Sequence, residues 1–236
     1  MSDAAAEPAP AAPRRVPFTG MRGAVARGMS AAWQTPRVAA GVEVDMRACL
    51  ALQRTLQERI GTEPRLTPTH FVLRAVALTL LEHPRLNARV DAEGVELGDE
   101  VALGLAVNLD EGILVPVIRD AAAMSVEQLA RASRELAAAA RAGRLGPGAI
   151  KHGTFTVSTL GATGIDWFTP ILNAPQVAIL GVGRIAERPL VEDGALIVAP
   201  TMQLTLVYDH RAVDGHPASL MLAALRDRLA RAQLDA

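Results

Sequence analysis

Half of the 236 residues are hydrophobic, yet no apolar run is long: Phe71–Leu81 is cut by Arg74, and 171–183 by Asn173, Pro175 and Gln176. Such a chain carries too much apolar surface to stay a disordered polyelectrolyte, and no stretch reaches the roughly 18 residues that a bilayer demands. It must bury short elements in a core, with no membrane span. At this length folding removes roughly 70–75% of the unfolded surface, in one large domain or two small ones. A net charge of −1 argues against a nucleic-acid partner, because such domains usually carry a basic excess. The single cysteine, Cys49, cannot close an internal disulfide, so a reducing compartment, the cytoplasm, is expected. Lys151 is the only lysine against 23 arginines, a bias that carries no function by itself.

Residues 1–15 are rich in Ala and Pro and read as a tail or linker stub, followed by one folded unit over 16–236. The tail has no basic segment leading into an apolar one, which argues against a secretory signal. From Thr19 the apolar residues Met21, Ala24, Val25, Met29 and Trp33 recur at helical spacing until Pro36. A strand is expected at Val38–Asp45, and helices at Met46–Ile60 and Thr69–Leu81. Strands follow at Leu86–Val90, Val95–Leu97, Val101–Asn108 and Ile113–Ile118, with turns at Ala92–Gly94 and Asp110–Gly112. Ser125 is placed to cap a helix running to Arg141. The last part reads as strands at Thr154–Leu160, Val177–Val182 and Met202–Tyr208, a hairpin over Leu190–Val198, and a helix over Pro217–Ala232. Irregular alternation with hairpins predicts an α/β fold, a mixed β-sheet sandwich with helices packed on one face.

Three stretches could carry chemistry. Asp209-His210-Arg211-Ala212-Val213-Asp214 follows an alternating strand and precedes a helix, so His210 stands at a strand end, where side chains reach a cleft. An imidazole titrating near neutrality can take and return a proton; the same pattern also suits a polar turn with a structural histidine, or a metal site using His210, Asp214 and His216. Gly181-Val182-Gly183-Arg184-Ile185-Ala186 matches a dinucleotide fingerprint in letters, but Pro189 forbids the helix that must follow, so the glycines point to a turn or close packing. Gly153–Gly161 alternates hydroxyl and apolar residues; Ser158 lacks a nucleophile elbow but could donate a hydrogen bond to an oxyanion.

Together these segments resemble the catalytic domain of the dihydrolipoamide acyltransferases, the E2 components of 2-oxo acid dehydrogenase complexes. Asp209–Gly215 is similar to their D-H-R-x-x-D-G signature and Gly153–Gly161 to their G-T-F-T-[IV]-S-N-[LF]-G strand. Gly164–Gly183, Gly112–Asp120, Thr19–Met29 and Val42–Met46 also match, so the likeness covers about residues 17–232. The resemblance implies the chloramphenicol acetyltransferase-like fold and acyl transfer between a dihydrolipoyl thiol and coenzyme A, the latter a substrate. It assigns His210 as base, Ser158 as oxyanion donor and Asp214 as the carboxylate that helps hold the turn. It implies a homotrimer with each site between subunits, E1 and E3 partners, and no metal. No lysine precedes Lys151, so the lipoyl group is expected from another chain or domain.

Some features depart from the family pattern. The chain stops soon after the last helix, where family cores continue into an apolar tail, and a trimer without the large shell is therefore expected. Thr159 replaces the usual Asn, Asn108 a common Asp, and Gln34-Thr35-Pro36-Arg37 shortens Q-T-x-P-H. His216-Pro217 lacks the Arg-Glu found in succinyl-specific members, which favours an uncharged acyl group. Two other readings stay open: a stand-alone acyltransferase for a small alcohol or amine, and a non-catalytic oligomeric scaffold.

Overall fold

The computed structural model describes residues 15–109 and 112–234, so most of the tail and two residues of the Asp110–Gly112 turn lie outside the described part. In chain order the elements are α1 (Gly20–Trp33), β1 (Arg37–Asp45), α2 (Arg47–Ile60), α3 (Pro68–Glu82), β2 (Ala88–Val90), β3 (Val95–Leu97), β4 (Leu103–Leu105), β5 (Val107–Leu109), β6 (Gly112–Leu114) and β7 (Val117–Ile118). Then come α4 (Val126–Arg141), β8 (Phe155–Thr159), β9 (Ala178–Glu192), β10 (Ala195–Asp209) and α5 (Gly215–Ala230). A six-stranded mixed sheet has the order β1-β10-β9-β8-β4-β7, with β8 parallel to both of its neighbours and the other pairs antiparallel. Two small ladders, β2-β3 and β5-β6, stand apart from it.

The twofold alternation of strand side chains sorts the two faces. Met202, Leu204, Leu206 and Tyr208 of β10, Ala178, Leu180 and Val182 of β9, and Phe155 and Val157 of β8 join one buried cluster with Phe71 and Val72 of α3 and Met221 and Leu225 of α5. The intervening residues face the other way, where Ile179 and Val207 form a small buried cluster with Leu172. Helices α2 to α5 therefore pack into the core on one side, as expected, while α1 contributes no residue to that cluster, and the opposite face is crossed by the irregular segment around 165–172. Backbone proximity makes this strap possible: a Cβ on Gly183 would lie 1.7 Å from the Asp166 carbonyl oxygen, and one on Gly181 3.0 Å from Pro170 Cδ. These are the glycines of the false dinucleotide fingerprint, and they sit inside β9.

The two caps flanking the core form as their sequences dictate. Ser125 Oγ accepts the Gln128 amide and Gln128 Oε1 accepts the Ser125 amide, while Thr67 and His70 make the equivalent box on α3, with Pro68 in its first turn. Several strand expectations need correction. Val177–Val182 and Met202–Tyr208 are the inner halves of β9 and β10, and the Leu190–Val198 hairpin is their outer half. The ladder continues through Pro189, opposite Val198, and Pro200, opposite Glu187, and turns at Asp193-Gly194, both at positive φ. Val101–Asn108 divides into β4 and β5, because the Ala106 amide turns to the Val157 carbonyl. Ile113–Ile118 divides into β6 and β7 at Pro116, which has no N–H to continue a ladder.

Candidate active site

β10 delivers His210 into a turn whose amides are all directed. The Asp209 amide donates to the Val177 carbonyl (2.8 Å), the His210 amide to Pro36 (2.8 Å), and those of Ala212 and Val213 to Asp209 (3.1 Å each). The Arg211 amide donates to Asp209 Oδ1 at 3.0 Å. The imidazole is half exposed, with its Nδ1 3.8 Å from Asp214 Oδ1. That separation allows electrostatic support without a hydrogen bond. The Tyr208 ring lies 5.9 Å away, centroid to centroid. Asp214 occupies the N-cap position of α5, but its side chain makes no cap bond and is 83% exposed. Within one chain it is therefore Asp209, at 1% exposure, whose carboxylate ties the turn together.

Ser158 lies near the end of β8 on the strap-covered face, because Phe155 and Val157 take the core positions. Two residues earlier, Thr156 Oγ1 donates to Gln176 Oε1 (2.5 Å) and accepts from Asn173 Nδ2 (3.3 Å). Ser158 itself is partly buried, and its hydroxyl has no hydrogen-bond partner among the described residues. A cavity of about 350 Å³ opens beside Thr159, bounded by Gly161, Arg184 and the first turn of α3.

The ladders set how far apart these groups stand. Ser158 is opposite Gly181, which is opposite Thr205, and His210 lies five residues beyond Thr205 along the β10 direction. With about 3.3 Å per residue and 4.8 Å per strand, the Ser158 and His210 backbones are on the order of 15–20 Å apart. One chain brings His210 and Asp214 together and leaves Ser158 away from both. Among the described residues, no group of three His, Cys, Asp or Glu side chains is placed to hold a metal. Cys49 offers no nucleophile: burial pushes its thiol up to about 12, and Sγ lies 3.0 Å from the Leu229 carbonyl oxygen. The sequence reading gave Asp209 and Arg211 no role beyond the signature. Their i, i+2 spacing around the histidine was the available signal.

A family model for the 2-oxoacid dehydrogenases acyltransferase (catalytic domain) matches residues 10–234, including the end of the Ala/Pro stretch. Among curated relatives, the dihydrolipoyllysine-residue acetyltransferase component of the acetoin cleaving system of Bacillus subtilis (strain 168) is 38% identical over 92% of this chain. The corresponding pyruvate dehydrogenase component of Staphylococcus aureus (strain Mu50 / ATCC 700699) is 36% identical over 87%. The chain spans about half the length of these relatives, 55% and 51% respectively.

Two solved structures superpose closely. Azotobacter vinelandii dihydrolipoamide acetyltransferase gives a TM-score of 0.88 at 32% identity, and the cubic core of a pyruvate dehydrogenase multienzyme complex gives 0.88 at 33%; each match covers 96% of this chain and 98% of the other. A chloramphenicol acetyltransferase, at a TM-score of 0.54 and 18% identity, shares the fold. The Azotobacter structure was determined to define the catalytic roles of a serine, a histidine 52 residues later and an asparagine four further on. Ser158, His210 and Asp214 have the same spacings, with aspartate in the last place. The chain belongs to the 2-oxoacid dehydrogenase acyltransferase catalytic-domain family.

Proposed function

We propose that this chain transfers an acyl group between a dihydrolipoyl thiol and coenzyme A, as the E2 core of a 2-oxo acid dehydrogenase complex. The observation that carries the reading is a half-exposed imidazole at a strand end, beside a carboxylate and at the family spacing from an unpartnered serine. With Nδ1 toward Asp214, His210 keeps Nε2 free to remove the proton of the attacking thiol, which is mostly un-ionised at neutral pH. The thiolate adds to the thioester carbonyl, and Ser158 donates a hydrogen bond to the resulting oxyanion. Collapse breaks the old carbon–sulfur bond, and protonated His210 returns its proton to the departing thiol. Asp214 stabilises the imidazolium between the two transfers.

The separation of Ser158 from His210 supports a site shared between subunits, with the serine supplied by a neighbour in a homotrimer. Another chain or domain supplies the lipoyl group, and E1 and E3 are the expected partners. The acyl group is uncharged, acetyl first, in line with His216-Pro217 and with the relatives' names. The inert thiol of Cys49 suits a cytoplasmic setting. The test incubates the protein with a panel of acyl-CoAs and either dihydrolipoamide or small amines and alcohols. Acylation of dihydrolipoamide, abolished by His210→Ala, is expected; acylation of amines or alcohols alone, or full activity in the variant, would contradict the reading.

A further inference from the structure

The carboxylate of Asp209 is among the most buried polar groups of the fold, on the strap side of β10, two residues beyond Val207 and its contacts with Leu172 and Ile179. Arg211 answers it with a fork. Its Nη2 donates to Oδ2 at 2.6 Å, its Nε to Oδ1 at 3.0 Å and to Oδ2 at 3.1 Å, and its own amide to Oδ1 at 3.0 Å. These two residues flank His210 in sequence, so the fork closes a ring around the histidine's backbone. The ring's other anchor is the Pro36 carbonyl, which accepts the His210 amide. Pro36 is itself braced: Arg37 Nη1 donates to the Trp33 carbonyl at 3.0 Å, and its guanidinium lies 3.5 Å from the Trp33 ring centroid. Asp214, by contrast, touches the imidazole from an exposed position and holds none of the turn's amides.

We propose that Asp209 and Arg211 act as one positioning unit for His210, fixing the backbone from which the imidazole reaches the reacting thiol. The inference rests on the reading of His210 as the base. A planar guanidinium matches both carboxylate oxygens, and neither lysine nor an uncharged residue reproduces that geometry. Loss of Arg211 leaves a buried carboxylate without its cation, whereas loss of the carboxylate leaves an arginine already half exposed to water. The two losses are therefore unequal, and removing both partners is milder than removing the arginine alone.

The test compares Asp209→Asn, Arg211→Lys, Arg211→Met and the Asp209→Asn/Arg211→Met pair, by steady-state acyl transfer to dihydrolipoamide and by hydrogen exchange of the segment 208–216. For Arg211→Met we expect kcat per folded subunit to fall by about 10- to 100-fold, as a displaced catalytic group would cause, with KM for either substrate within about threefold. Arg211→Lys and the double variant should each recover part of that loss, and exchange in 208–216 should quicken in the order of the kcat losses. Unchanged kcat in Arg211→Met, a loss explained by KM or by the unfolded fraction, or a double variant worse than Arg211→Met would overturn the proposal. If the unaltered protein transfers no acyl group, the functional reading falls, and the exchange data alone decide whether the pair holds the turn.

Discussion

The His210 turn and the Ser158 strand are built to different standards. Around His210 every amide from Asp209 to Val213 has an acceptor, and the buried Asp209 carboxylate, paired with the half-exposed Arg211, closes the loop. Around Ser158 the neutral trio Thr156, Gln176 and Asn173 steadies the strand two residues away, and the serine hydroxyl itself is left free. One end is finished within the chain, and the other presents a donor that waits for something to receive its bond. This division fits a site in which one subunit brings a rigid base and its neighbour brings an oxyanion donor.

The largest expected effect tests the finished end. His210→Ala should lower turnover by about 10²- to 10⁴-fold in the dihydrolipoamide and acetyl-CoA assay, since it removes the general base. Ser158→Ala should cost roughly 10²- to 10³-fold, mostly in kcat, because its hydrogen bond strengthens only as the oxyanion forms. If the serine variant instead raised KM alone, the donor role would be replaced by one in binding.

Next comes a pH effect on the α3 cap, whose Thr67 and Pro68 border the cavity beside Thr159. Burial, with Arg134 adding to it, lowers the His70 pKa to about 4, and Nδ1 of the neutral ring accepts the Thr67 amide at 3.1 Å. The unfolded chain binds this proton near pH 6.5 and the folded one near 4, so this contribution is fully present above about 6.5 and is lost as pH falls toward 4. The loss is up to about 3 kcal/mol. Thermal melts between pH 7 and 4 should show it, and His70→Gln, which keeps a capping-box acceptor, should flatten the profile. The smallest expected change comes from Thr156→Val, which strips the shared partner of Gln176 and Asn173 and should destabilise by about 1–3 kcal/mol in denaturant titrations. A comparable loss of His210-dependent chemistry would show that the two ends are not separately built.

Much of this was legible in residue order. The Ser125 cap and the period-two alternation of β8 and β10 depend on neighbours close in sequence, and they formed where local rules place them. The full length of β9 and β10 was not legible, because only the register with the partner strand shows that the ladder runs on past Pro189 and Pro200. The three site residues were named through the resemblance to the acyltransferase family, since their types and spacings alone left a structural histidine and a metal site open. Their separation within one chain was not legible, since it depends on β8 and β10 lying on either side of β9, a crossover that no local pattern encodes. The Asp209–Arg211 fork escaped for a related reason: burial of the carboxylate is set by the strap and the sheet end, far away in sequence.

A shared site can be tested most directly by mixing two dead variants. His210→Ala and Ser158→Ala subunits, each inactive alone, are co-refolded or co-expressed so that they assemble together. A random trimer should then place an intact histidine against an intact serine at about a quarter of its interfaces, restoring about that share of wild-type turnover. Mixed assemblies no more active than either variant alone would show that each chain carries its own complete site, and would contradict the account.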